Sequence, residues 1–270
     1  MMVVRPPITQ SDSLPVLTIN DREVGWTEVF GCMQLFGKLK PFLRTFISQH
    51  VLLEEINRRD DLTVTSADVM QAIMDFRIQK NLQEQAEFEA WLTSEHLDHA
   101  TFQRKIVLEI MVAQLKEKIA APDINDYFEE NRDLFTELKF SCLVAKDEAI
   151  AHQLKQAAVP HDRDFRQLAS EFSATDETAV NYFQQQSVKG SLPLEIRDQL
   201  GAASIGEVVG PILVNEVWSI FRVEAQYPAE LNDRLKPQIE ATLFNRWLTE
   251  QLQSRKVGMK PASSDISQEA

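Results

Sequence analysis

Cysteine, long apolar runs and basic residues are all scarce in this sequence, and each scarcity argues against a class of protein. The two cysteines, Cys32 and Cys142, lie far apart in different predicted elements, which argues against a disulfide framework. No segment approaches the roughly 18 uncharged apolar residues of a membrane-spanning helix. Residues 1–25 also lack the apolar run of a secretory signal. The sequence therefore predicts a cytoplasmic protein without membrane insertion.

Acidic residues outnumber basic residues by 41 to 28, and the formal net charge is −13. No predicted helix carries a stripe of Lys and Arg, so we expect no nucleic-acid partner. The same net charge predicts weak repulsion from anionic membranes. A chain of 270 residues is long enough for two modest domains, each with its own core.

The usual motifs of cofactor-dependent and hydrolytic enzymes are missing. The sequence contains no Walker loop, no Rossmann glycine pattern and no Ser-His-Asp signature. His96 and His99 lie beside acidic residues, but no third ligand is close in sequence, so we expect surface histidines and no metal site. A nucleophilic Cys142 would need a histidine base, and His152 on the following helix is the nearest in sequence. We therefore expect neither a cofactor nor covalent catalysis.

The first half of the chain predicts a β-hairpin followed only by helices. The pattern of residues 14–26 predicts two short strands joined by a turn at Asn20-Asp21. From residue 27 to about 132, apolar residues recur at helical spacing. The residues that share one face of the first predicted helix are Val29, Cys32, Met33 and Phe36. We expect this region to be a helical bundle.

Residues 138–224 follow a different pattern. A strand, LKFSCLVAKDEA, is followed by the helical DFRQLASEFSATDETA, then by LPLEIRDQLGAASIGEVVGPI, and the stretch closes on the strand VWSIFRVE. This order resembles the parvulin family of prolyl isomerases along its whole domain. In that family the segment around Gly206 and Gly210 is a turn and a strand entry, where glycine suits a positive φ angle.

The resemblance extends outward to about residues 14–257. Over this range the chain is similar to the SurA/PrsA-like group of parvulin foldases. The hairpin, the successive helices, DINDYFEEN before the first parvulin strand and a closing amphipathic helix recur in that layout. It implies an α+β fold: an N-terminal helical, chaperone-like domain completed by the C-terminal helix, and a parvulin-like domain with a small antiparallel sheet flanked by helices. The implied boundaries are 1–13 (disordered lead), 14–136 (helical domain), 137–226 (parvulin-like domain), 227–257 (C-terminal helix packing on the helical domain) and 258–270 (disordered tail).

Parvulins carry one histidine on the first strand of the domain and another on the last strand, next to a Cys or Asp. At these positions the chain has Cys142 and Ser219, and the Cys/Asp position corresponds to Thr175, or alternatively Asp176. The resemblance thus implies Cys142, Thr175 and Ser219 as catalytic residues. The residues implied to receive the proline ring are Val180, Phe183, Leu192 and Ile196.

Two functions remain open from the sequence. The resemblance implies a peptidylprolyl isomerase that acts on unfolded or exported polypeptides, with activity weakened by the loss of both histidines. The alternative is a catalytically inactive chaperone or adaptor of the same fold that binds extended polypeptides. In either case the expected partners are unfolded or proline-containing clients.

Overall fold

The computed structural model describes residues 15–159, 163–175, 180–256 and 258. The predicted lead of residues 1–13, and all of the predicted tail except Gly258, lie outside the described residues. The chain divides into two compact units. The first unit comprises the described residues up to Ala121 and those from Glu240 onward, and the second comprises residues 122–239. The boundary expected at 136/137 lies one helix later than this division.

The described part of the first unit contains a two-stranded hairpin, five helices and the C-terminal part of a sixth helix. Its elements are β1 (Pro15–Ile19), β2 (Arg22–Gly25), α1 (Trp26–Leu35), α2 (Leu39–Arg58), α3 (Ser66–Gln79), α4 (Gln85–Ser94), α5 (His99–Ala120) and, from Glu240, α10 (Lys236–Gln253). Asn20 and Asp21 both have positive φ angles, 48° and 64°, as a tight hairpin turn requires. The predicted hairpin and its turn are confirmed.

Two apolar clusters form the core of the first unit. In one, Phe102 packs against the rings of Phe76, Phe88 and Trp91, with centroid separations between 5.1 and 5.7 Å. In the other, Phe244 and the half-buried Trp247 of α10 pack with residues of α2 and α5 and the loop after α2. The main buried partners in this second cluster are Ile56, Leu62 and Leu115.

Helix α1 differs from the other helices of the first unit. The sequence places four apolar residues on one face of this helix, yet within the described part of the chain no residue of α1 is buried. Val29 and Met33 are half-buried, whereas Cys32 is exposed, and so is Phe36, which follows the helix. A helical apolar stripe becomes a buried face only if another element covers it.

The second unit is built around a four-stranded sheet. Its elements are α6 (Ile124–Phe135), β3 (Glu137–Ala145), α7 (Glu148–Ala158), α8 (Phe165–Thr175), β4 (Asn181–Val188), a 3₁₀ turn (Lys189–Ser191), α9 (Leu194–Ala202), β5 (Val208–Val214), β6 (Val217–Tyr227) and the start of α10. The strand order is β4-β3-β6-β5, and every neighbouring pair is antiparallel. The predicted α+β class, with a helical N-terminal region and a small antiparallel sheet, is confirmed.

Both faces of this sheet are covered by apolar side chains. Helices α7 and α8 pack on one face, where Leu143 and Ile220 are fully buried. Helix α9 packs on the other face through Ile196 and Leu200, against Phe140 and other side chains of β3 and β6. Because side chains alternate along a strand, each residue of β3 and β6 belongs to one face only. Across both units, no described helix is long and apolar enough to cross a membrane.

Candidate functional site

Cys142 on β3 and Ser219 on β6 lie on the same face of the sheet, the face covered by α9. Cys142 pairs with Phe221, and Ser219 pairs with Val144, so the two side chains are diagonal neighbours on adjacent strands. Both are buried, with 7% and 5% of their surface exposed. The Cys142 thiol donates a hydrogen bond to the Leu143 carbonyl oxygen at 3.8 Å, and the Ser219 hydroxyl lies close enough to lower the pKa of the thiol. The structure therefore brings together the two positions that correspond to the lost histidines.

Leu192 and Ile196 belong to the same buried cluster as Cys142. Leu192 follows the 3₁₀ turn, and Ile196 lies in the first turn of α9. Phe183 on β4 pairs directly with Cys142 and so points to this face, but 55% of its surface is exposed. Five of the seven predicted site residues thus share one face: Cys142, Phe183, Leu192, Ile196 and Ser219.

Val180 and Thr175 are not part of this group. The structure places Val180 in the cluster under α7 and α8, on the opposite face of the sheet. The reason is local: the Val180 amide donates a hydrogen bond to the Ser173 hydroxyl of α8, at 3.0 Å. Thr175 is the last residue of α8, and its side chain lies outside the described residues, as does Asp176. The expected contact of Val180 with Leu192 and Ile196 is therefore corrected.

A buried lysine, which sequence reasoning missed, fixes the turn that carries Leu192. The Lys189 ammonium donates to both carboxylate oxygens of Asp133 on α6, at 2.6 and 2.7 Å. The Lys189 backbone amide donates to the Thr136 carbonyl at 2.8 Å. A buried charge is tolerated only when it is paired in this way. This ion pair therefore anchors the entrance to α9 and the position of Leu192.

Two further valines, also missed from the sequence, border the site. Val144 and Val214 are half-buried and pack against the cluster that contains Cys142. Val144 lies directly across from Ser219, and it follows Cys142 by two positions, so the period-2 alternation of β3 could have identified it. Val144 is also the diagonal neighbour of the exposed Phe183 on the adjacent strand β4. We use "ledge" below for Val144 and Phe183, which lie beside the buried Cys142 and Ser219.

Burial controls the chemistry of the Cys142 thiol. Removal of the thiol from water raises its pKa to about 12, and the nearby Ser219 hydroxyl lowers it by less than burial raises it. The thiol is therefore neutral at every pH below about 12. A neutral thiol next to a hydroxyl can hydrogen-bond, but it cannot serve as a thiolate nucleophile. The site suits non-covalent chemistry.

This difference between the two cysteines can be measured directly. At pH 8 we expect the exposed Cys32 to react with a disulfide reagent at least about a hundredfold faster than Cys142, because only a thiolate attacks and Cys142 is buried and protonated. In a denaturant both thiols should react at similar rates, which serves as the control. Two equally fast thiols in the folded protein would contradict the buried position of Cys142.

Residues 119–233 match a known family, Rotamase_2, described as the PPIC-type PPIASE domain. The match covers the whole sheet, α7 to α9 and the Cys142–Ser219 pair. Residues 119–233 are thus similar to the PPIC-type peptidylprolyl isomerase domain. The parvulin resemblance of the sequence is confirmed.

Solved structures of PrsA proteins and of SurA-like chaperones match most of the chain at low sequence identity. PrsA from Bacillus cereus is 16% identical, with 93% of this chain and 96% of that chain covered and a TM-score of 0.49. PrsA from Bacillus anthracis is 17% identical, with 82% and 100% covered and a TM-score of 0.43. A SurA-like chaperone of Campylobacter jejuni is 17% identical, with 92% and 100% covered and a TM-score of 0.27. No curated protein gives a significant match.

The PPIC-type domain here holds a neutral thiol and a hydroxyl where the family pattern has histidines. Among the described residues, no group of three or more His, Cys, Asp and Glu side chains could hold a metal ion. The groups that the site presents are the apolar ledge, the Cys142 thiol, the Ser219 hydroxyl and the backbone of β3 and β6. This set suits a reaction that breaks no covalent bond.

Proposed function

We propose that the chain is a parvulin-type peptidylprolyl isomerase of low activity that acts on unfolded or proline-containing polypeptides. The observation that supports this best is the buried Cys142–Ser219 pair at the histidine positions of a PPIC-type domain, beside an apolar ledge. The reaction is rotation about an X–Pro amide, whose barrier is about 18–20 kcal/mol. The polypeptide client follows from the family, and its unfolded, proline-containing nature is part of this proposal.

The ledge supplies the binding part of the mechanism. A pyrrolidine ring that rests on Val144 and Phe183 would bury apolar surface worth about 1–2 kcal/mol. The deeper cluster is already filled, because Leu192, Ile196, Cys142 and Ser219 are all nearly inaccessible. The ring would therefore bind beside the pair and not in a deep cup.

The Cys142 thiol and the Ser219 hydroxyl supply the polar part of the mechanism. When the amide twists, conjugation is lost and electron density returns to the nitrogen, so fixed hydrogen-bond donors near that nitrogen favour the twisted state over the planar one. Ser219 and Cys142 are held in place by their burial and by the paired strands that carry them. As neutral donors they stabilise the twisted amide less than charged groups would. We therefore expect a small acceleration.

The direct test is exchange NMR on a short X–Pro peptide with and without the protein. We expect a faster cis–trans exchange in the presence of the full chain, reduced by Ser219→Ala because the variant removes one of the two donors. Ser141→Ala is the matched control, since Ser141 is equally buried on β3 but faces away from the site. Equal reduction by both variants would point to a loss of folding and not of a donor.

The second candidate is a chaperone or adaptor that binds extended chains without isomerase activity. The burial of the Cys142–Ser219 pair favours it, because a substrate amide reaches that pair only from the ledge. Identical exchange rates with and without saturating protein would exclude the enzyme. Suppression of client aggregation under the same conditions would then support the chaperone.

A further inference from the structure

The turn between α1 and α2 carries the most exposed apolar side chains of the first unit. Leu35 and Phe36 have 82% and 77% of their surface exposed. A Cβ atom added at Gly31 or Gly37 would meet no atom within 4 Å, so the backbone on both sides of the turn is open. These side chains form a projecting surface and do not line a groove. We call Leu35, Phe36, Lys38 and Lys40 the α1–α2 tip.

The α1–α2 tip carries positive charge, whereas the net charge of the whole chain is negative. Residues 29–53 contain Lys38, Lys40 and Arg44 and no Asp or Glu, although the chain as a whole has 41 acidic residues. Lys38, Lys40 and Arg44 are all exposed. Charges farther away than the Debye length of about 8 Å are largely screened at physiological salt. The tip therefore presents a basic surface despite the net charge of −13.

A row of stacked rings supports the tip from behind. Trp26, Phe30, Phe42 and Phe46 follow one another with centroid separations of 5.5, 6.1 and 6.5 Å. Trp26, Phe42 and Phe46 are exposed. These contacts hold α1 against the first turns of α2, so the tip is a fixed protrusion. Trp and Phe beside basic residues are also typical of protein surfaces that lie at a membrane interface.

We propose that the α1–α2 tip docks onto the surface of an anionic lipid bilayer. A protruding Leu-Phe pair can enter the boundary between head groups and acyl chains, while Lys38, Lys40 and Arg44 pair with anionic head groups. An extended polypeptide is instead received by a groove or a sheet edge. Lys40 and Arg44 line a groove against α10, but the lining of that groove does not include Leu35 or Phe36. The inference concerns the first unit and is independent of the proposed isomerase activity. It describes docking on a surface and not insertion of a helix.

The two cysteines make this proposal testable with one probe on the full chain. Cys32 is exposed one helical turn before Phe36, whose amide donates to the Cys32 carbonyl at 3.0 Å. Cys142 is buried, so an environment-sensitive dye can be attached at Cys32 alone. Vesicles of phosphatidylcholine with 30% phosphatidylglycerol, at about 50 mM salt, are compared with vesicles of phosphatidylcholine alone. Flotation measures binding, and a blue shift of the dye reports that the tip has entered the interface.

We expect flotation and a blue shift with the anionic vesicles, and both should decline as salt is raised. Leu35→Ser with Phe36→Ser should lower the partition coefficient about tenfold or more, because the apolar anchor is lost. Lys38→Gln with Lys40→Gln should lower it by a similar factor and weaken its salt dependence. The matched control is Leu194→Ser with Ile205→Ser, two comparably exposed apolar residues of the second unit, which should bind as the parent does.

Several outcomes would overturn the proposal. They include no flotation at low salt, equal binding to neutral vesicles, and unchanged binding by both tip variants. A blue shift that rises with protein concentration without vesicles, with a dimer in analytical ultracentrifugation, would assign the tip to a second copy of the chain. A blue shift with an unfolded client but not with vesicles would assign it to polypeptide binding.

Discussion

Replacement of Gly210 with alanine is expected to lower the free energy of unfolding of the second unit by about 2–4 kcal/mol. Gly210 has a φ angle of +108°, and a Cβ atom there would lie 2.6 Å from the carbonyl oxygen of Ser219. Alanine would therefore strain its own backbone and push β5 away from β6. Urea titration followed by hydrogen exchange of the β5 and β6 amides would measure the loss.

The matched control for this variant is Gly31→Ala. Gly31 lies in α1, where an added Cβ would meet nothing within 4 Å, and alanine is the better helix former by up to about 1 kcal/mol. We expect the control to be neutral or slightly stabilising. Equal stability of the Gly210→Ala variant and the parent would show that β5 does not approach Ser219 as closely as described.

The double substitution Cys142→His with Ser219→His is expected to raise the rate of prolyl isomerisation about tenfold or more. Both positions are on one face of the sheet and are diagonal neighbours on paired strands, so two imidazoles placed there would be close to each other, as the parvulin resemblance implies. Exchange NMR on the same X–Pro peptide would measure the gain. A gain of this kind would tie the low activity of the parent to these two residues.

The imidazoles must fit into a filled cluster, so the variant should also be less stable. Overpacking of a buried site costs about 1–3 kcal/mol, and Cys142 lies among Leu192, Ile196 and Phe221. The rate should therefore be normalised to the folded fraction, measured by circular dichroism. The single variants serve as controls, and each should gain less than the pair. An unchanged rate in a correctly folded double variant would contradict the assignment of these positions.

Much of the second unit could be predicted from the sequence, because its strands and helices follow in a recognised order. The alternation of β3 places Cys142 and Val144 on one face without any structure. The spacing of Val180 and Phe183 also indicated that these two residues lie on opposite faces of the sheet. They are three positions apart, and side chains alternate along an extended chain, so the two could not share a face. Val180 indeed lies under α7 and α8.

The rest could not be predicted, because it depends on which element covers which face. The apolar positions of α1 have the spacing of a buried stripe, but among the described residues none of α1 is fully buried. Likewise, Lys189 reads as an ordinary surface lysine until the fold places Asp133 of α6 beside it. Local spacing describes one element at a time, whereas burial is a property of pairs of elements.

The first unit is discontinuous in sequence, which constrains the order of events during synthesis on the ribosome. Ile56, Leu62 and Leu115 leave the ribosome well before Phe244, their partner in the same cluster. Residues 122–239 are contiguous and can complete their own core while the first unit still lacks its last helix. A released chain that is truncated after residue 239 should therefore hold a folded sheet and an incomplete helical unit.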